Sequence, residues 1–131
     1  MNITRLYTDT NGDSVFEDLT IGLSDQGDIG KLSDGYPVRQ LIFRETDGDY
    51  DYDFHHAPQR QFIIMLDGEI EIETSRLEKR RFRAGDILLA EDTTGKGHRT
   101  RSIDKKLRRS LFITLGESNV AFGKDHTTAY R

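Results

Sequence analysis

The stretch QFIIML-DG-EIEIET, residues Gln61–Thr74, constrains the fold of this chain more than any other. In EIEIET the isoleucines Ile70 and Ile72 fall on one side of an extended chain, with Glu69, Glu71 and Glu73 on the other. That two-residue period belongs to a strand with one face in a core and one in water. The apolar run ahead of it ends on Asp67-Gly68, whose glycine accepts the positive φ of a tight turn. Together the two runs predict a β-hairpin. The same period recurs in Val38–Thr46 and Tyr50–Phe54, where Tyr50, Tyr52 and Phe54 share a side opposite Asp51 and Asp53.

Further strands are expected within residues 1–37 and at KRRFR (79–83), DILLA (86–90) and SLFITL (110–115). Asn11-Gly12, Asp34-Gly35 and Asp47-Gly48 mark other turns. Short strands at this spacing predict an all-β, antiparallel barrel or sandwich. One segment competes: in SIDKKLRRSLF, Ile103, Leu107 and Leu111 lie at helical spacing and Ser102 could cap. Its flanks read as strand, so strand is expected there too.

At 131 residues the chain fits one domain, with a barrel core over about 38–115 and a tail over 116–131 that contains His126. Hydrophobic residues make up 34% and charged residues 32%, so the core is small or part of the apolar surface is shared. A homodimer that covers its own sheet edges is expected. With no cysteine, disulfides, thiolate catalysis and zinc–thiolate sites are excluded. The longest apolar run, Phe62–Leu66, is far too short to cross a membrane, and the N-terminus has no apolar signal core. A cytoplasmic protein without a membrane partner is the expectation.

Charge is unevenly placed. Residues 1–54 carry 4 basic and 12 acidic groups, whereas residues 55–110 carry 13 basic and 9 acidic ones. Such halves could steer an anion, seat a second subunit, or lie on solvated faces. The basic runs RLEKRRFR and KKLRR lack interleaved stacking aromatics apart from Phe82, so no nucleic-acid partner is expected. Nor is DGDYDYD a calcium loop, because Tyr52 stands where glycine is needed and Pro58 where glutamate is needed.

The order strand, Asp-Gly turn, strand, then RAGDILLAEDTTGKGH resembles the cupin superfamily. Cupins are small antiparallel, jelly-roll-like β-barrels with two motifs. The first carries His-x-His, a glutamate and a later glycine; the second runs from a glycine through Pro-x-Gly to a histidine and an asparagine. Here Gln61 stands at the glutamate place with Gly68 correctly spaced after it. Gly85 opens the second motif, Glu91 replaces its proline, Gly95 and His98 match its end, and Ser102 takes the asparagine place.

In metal-binding cupins the motif histidines and the glutamate hold a divalent ion. In this chain either His55 or His56 falls in the first motif, depending on the gap counted back from Gln61. Adjacent strand residues point to opposite faces, so the two rings do not both enter the barrel. The resemblance therefore implies a degenerate metal motif drawn from His55, His56, Gln61 and His98, with Glu91 or Asp92 able to supply a carboxylate. One divalent metal ion is the only cofactor it suggests. His98 and His55 are the candidate catalytic groups, with Gln61, Arg60, Arg99 and Tyr52 as binding residues; Arg101 lies near the same mouth. The implied function is a small cupin that takes a small polar or anionic molecule into its barrel. It would act as an isomerase- or epimerase-like enzyme, as a metal-dependent enzyme, or as a non-catalytic binding or sensor protein.

Overall fold

A computed structural model describes residues 1–116. The expected tail, with His126, lies outside them. Ten strands form two facing sheets: β1 (Asn2–Thr8), β2 (Ser14–Thr20), β5 (Gln40–Thr46), β6 (Asp51–His55), β7 (Gln61–Met65), β8 (Glu69–Thr74), β9 (Lys79–Arg83), β10 (Ile87–Ala90), β11 (His98–Ser102) and β12 (Arg108–Thr114). Two short strands, β3 (Ser24–Asp25) and β4 (Lys31–Leu32), pair separately. The larger sheet has the order β2-β1-β10-β7-β12-β5 and the smaller β6-β11-β8-β9.

The pairing is nested: β8 with β9, β7 with β10, β6 with β11, and β5 with β12. One long antiparallel ribbon is thus folded at its middle and rolled, which is a jelly roll of the cupin kind. The fold class expected from the sequence holds, with one exception to its antiparallel character. Strand β1 runs parallel to β10, with Thr4 beside Leu88 and Leu6 beside Ala90.

The opening expectation needs correction. β7 and β8 do not pair; Asp67-Gly68 is a corner at which the chain leaves one sheet for the other. Gly68 does take positive φ, at 75°. The strands diverge because β7 is apolar on both faces and is buried in the middle of the larger sheet, as continuous apolar runs are. The true hairpin is β8–β9, and its outer face is a ladder of opposite charges: Glu69 beside Arg83, Glu71 beside Arg81, Glu73 beside Lys79.

Arg99 and Arg101 of β11 extend this ladder toward Asp51 of β6 and Glu71 of β8. Acidic and basic strands therefore alternate across the smaller sheet, and Asp13, Asp18 and Asp51 of the acidic stretch pair with Lys96, Arg80 and Arg99 of the basic one. Glu71, expected in water, is covered by Arg101 and Arg81, and its bond to Arg101 holds its carboxyl below the usual range.

The SIDKKLRRSLF segment is not a helix. Ser102 caps only a turn, its Oγ accepting from Lys105 N–H at 3.2 Å. Lys105 has φ 60°, which ends any helical run, and β12 follows. Leu6, Met65, Ile70, Ile72, Phe82 and Leu88 fill one half of the space between the sheets. The other half, between β7, β12 and β5 on one side and β11 and β6 on the other, is a cavity. Among the described residues no helix is long and apolar enough to cross a membrane.

Candidate functional site

The cavity measures about 340 Å³ and draws side chains from both sheets. At one end stand His55, His98, Gln61 and Tyr52; at the other stand Arg44, Tyr50, Arg108 and Ser110, with Ile63, Ile72 and Phe112 between them. Registers separate the ends: Gln61 faces Thr114 across β7–β12, and Met65 faces Ser110. Four strand residues amount to about 13 Å.

A β-bulge decides which histidine enters. β6 and β11 pair His55 with His98 and Tyr52 with Thr100, so three steps on β6 oppose two on β11. The extra residue puts Tyr52 and His55 on the same face, although strict alternation would separate them. Their rings meet edge to face at 4.0 Å, and the His55 and His98 rings lie 4.6 Å apart. His56 is left exposed outside the cavity, its Nδ1 near the Ala57 carbonyl, and leaves the candidate set.

Both cavity imidazoles are held by Nδ1. His55 Nδ1–H donates to the Asp53 carbonyl at 2.8 Å, and His98 Nδ1–H donates to Asp92 Oδ2 at 2.6 Å. A carbonyl and a carboxylate can only accept here, so each ring, when neutral, keeps a bare Nε2 for the cavity. Asp92 is 0% exposed and also accepts from Ser14 Oγ–H at 2.7 Å. His98 and Gln61 are each 5% exposed. Glycine makes the approach possible: a Cβ on Gly97 would lie 2.1 Å from the His55 carbonyl carbon.

Burial pushes His55 below the ordinary imidazole value of 6.5, with its bond to the Asp53 carbonyl opposing. The unfolded chain, titrating near 6.5, therefore takes up the proton first. The stability due to neutral His55 is intact above about pH 6.5 and declines as acid approaches the lower folded value. In urea melts, His55→Gln should lose less stability than the parent on going from about pH 7 to about pH 5. Equal slopes for the two chains would refute this.

The arginines are redistributed. Arg60 and Arg99, proposed from sequence to meet a ligand, lie outside the cavity: Arg60 Nε bonds Glu91 Oε2 at 2.6 Å and Arg99 forks onto Asp51. Arg44 and Arg108 take their place. Arg108 is 4% exposed, and its Nε and Nη1 are buried without a hydrogen-bond partner. The guanidinium carbons of Arg44 and Arg108 sit 5.1 and 5.3 Å from the Tyr50 ring centre.

A divalent ion would find two imidazole nitrogens and the Gln61 amide. Neither carboxylate considered from the sequence joins them. Asp92 stands behind His98, and Glu91 is engaged by Arg5 and Arg60. Among the described residues no group of three or more His, Asp or Glu side chains could hold a metal ion. This donor set does not fit a resident divalent metal, which wants anionic ligands or a third imidazole.

No protein-family model matches the sequence, and no curated protein matches it. Several solved structures are similar. A DUF861 family protein from Thermotoga maritima is 14% identical, with a TM-score of 0.49 over 58% of this chain and 80% of its own. The cupin domain of Schizosaccharomyces pombe Cnp3 is 15% identical, with a TM-score of 0.48 over 86% and 85%. A putative ethanolamine utilization protein Q from Salmonella typhimurium is 13% identical, with a TM-score of 0.42 over 90% and 98%. The cupin fold of this chain stands on its own strand order and registers.

Proposed function

We propose that the cavity binds a small organic molecule and moves a proton on it without a metal, as in an isomerisation or epimerisation. The observation that carries this reading is the buried Asp92–His98 pair. Asp92 fixes the ring orientation and stabilises the imidazolium that forms when Nε2 takes a proton. His55, within van der Waals range of the same ring, would receive or return a proton on the substrate side, and Tyr52 steadies it edge-on. Gln61 orients a polar group of the substrate. Ile63, Ile72 and Phe112 exclude water around it.

Deuterium wash-in tests this. The protein, in D₂O with a panel of small 2-oxo acids and hydroxyketones, should exchange a carbon-bound proton next to a carbonyl. The rate should be unaffected by chelator and should fall by about a hundredfold or more in His98→Gln. Metal near one per chain that disappears in His98→Ala would restore the metal-dependent reading. A stabilising ligand with no exchange would leave a binding or sensor protein.

A second copy of this chain is the partner we place on the outer face of β5. That strand ends the larger sheet, and Phe43 and Leu41 project from it 78% and 54% exposed. An edge so apolar invites pairing unless it is covered. Light scattering should give a dimer mass for the parent and a monomer mass for Phe43→Asp; a monomeric parent at micromolar concentration would exclude the interface.

A further inference from the structure

The far end of the cavity has a chemistry that the histidines do not explain. Arg108 is nearly fully buried, and two of its nitrogens point at no acceptor. Ser110, 2% exposed and on the same face of β12, has its Oγ equally unpartnered. Arg44 lies across from Ser110 on β5, and the two guanidiniums flank one aromatic ring, Tyr50. Every side chain lining the cavity is neutral or basic; among the described residues no acidic one reaches it.

Two like charges share this end with no acidic side chain lining it, and burial together with Arg44 depresses the Arg108 guanidinium, with Tyr50 and Asp104 opposing. An unpaired buried charge is strongly destabilising, so a fold keeps one where a bound partner offsets it. Gly68 gives the arrangement its support. A Cβ there would press on Arg108 Cγ at 3.0 Å, so the glycine of the Asp-Gly corner lets the arginine stem lie flat against the turn.

We propose that Arg108, Arg44 and the Ser110 hydroxyl form an oxyanion subsite, and that the natural ligand is an elongated organic anion. Its carboxylate or phosphate sits among these donors. Its middle lies along Ile63, Ile72 and Phe112, and its other end reaches His55 and His98. Guanidinium suits both oxyanions, since each offers several acceptor oxygens to a planar set of donors. The subsite shares the cavity with the proton-transfer reading but does not depend on it, because binding the anion requires no histidine chemistry.

Hexanoate and inorganic phosphate, each compared with sodium chloride at matched ionic strength, test the subsite through calorimetric titration and melting temperature. At least one should bind saturably to the parent and raise its melting temperature above the chloride control. Hexanoate alone would assign a carboxylate ligand, phosphate alone a phosphorylated one. Arg108→Met and Arg44→Gln should weaken binding about tenfold or more, the size of one hydrogen bond to a charged group. Arg108→Met should melt no lower than the parent, because it replaces an unpaired buried charge with apolar atoms. Arg99→Gln, on the outer face, should bind as the parent does. The proposal is overturned if neither anion outperforms chloride, or if Arg108→Met and Arg44→Gln bind undiminished. Anion binding lost in His98→Gln but kept in both arginine variants would place the anion at the histidines and overturn it equally.

Discussion

Gly97→Ala is expected to cost about 4 kcal/mol or more and to dismantle the histidine end of the cavity, a loss that only a few mechanisms produce. Two penalties combine. Gly97 has φ 77°, a conformation that strains any L side chain. The new Cβ would also fall 2.1 Å from the His55 carbonyl carbon and 2.5 Å from His56 N, both backbone atoms that cannot swing aside. Relief requires β6 to move off β11, which breaks the bulge that points His55 inward. Gly85→Ala separates the two penalties, because Gly85 has φ 89° and nothing within 4 Å of an added Cβ. That control should lose only the backbone strain, about 1–2 kcal/mol. Urea melts of both variants give the comparison, and a Gly97→Ala chain as stable as Gly85→Ala would show that the close approach is not what orders β6.

Alternation reads the strands of this chain well and their partners poorly. Ile70 and Ile72 reveal their inward face at once, because one face of β8 is charged and the other is apolar, and Phe82 is the one apolar residue of β9. β7 offers no such contrast, and its continuous apolar run marks burial on both sides rather than half of a hairpin. The better pairing signal was charge: the Glu69, Glu71, Glu73 series is complementary to the Lys79, Arg81, Arg83 series read in reverse. Gln61, His98 and Tyr52 were legible as cavity residues. The choice between His55 and His56 was not, since a bulge shifts the face by one residue and leaves no mark in composition.

Arg44 and Arg108 were hidden for a related reason. β12 reads RRSLFIT with apolar residues at both parities, so nothing local says which of Arg108 and Arg109 turns inward. The answer comes from across the molecule. Asp67 takes both the backbone N–H and the Nε of Arg109 on the outside, and Gly68 leaves room only for the stem of Arg108.

Asp92→Ala is the second change with a large expected effect, a loss of about 2–4 kcal/mol. It strands two buried donors, the Ser14 hydroxyl and His98 Nδ1–H, in a place no water-exposed group shares. Asp92→Asn distinguishes shape from charge. Its carbonyl oxygen can accept from both donors, while its NH₂ occupies the position of Oδ1, which already lacks a partner. Stability should therefore return to within about 1 kcal/mol of the parent. Deuterium wash-in should not return, because a neutral amide cannot stabilise the imidazolium that His98 becomes, and the rate should stay down by about a hundredfold or more. Exchange that recovers together with stability would show that Asp92 only holds the fold in place. Exchange that stays lost in a well-folded Asp92→Asn chain would mean that the buried carboxylate serves the cavity through its charge, with His98 as the group through which it acts.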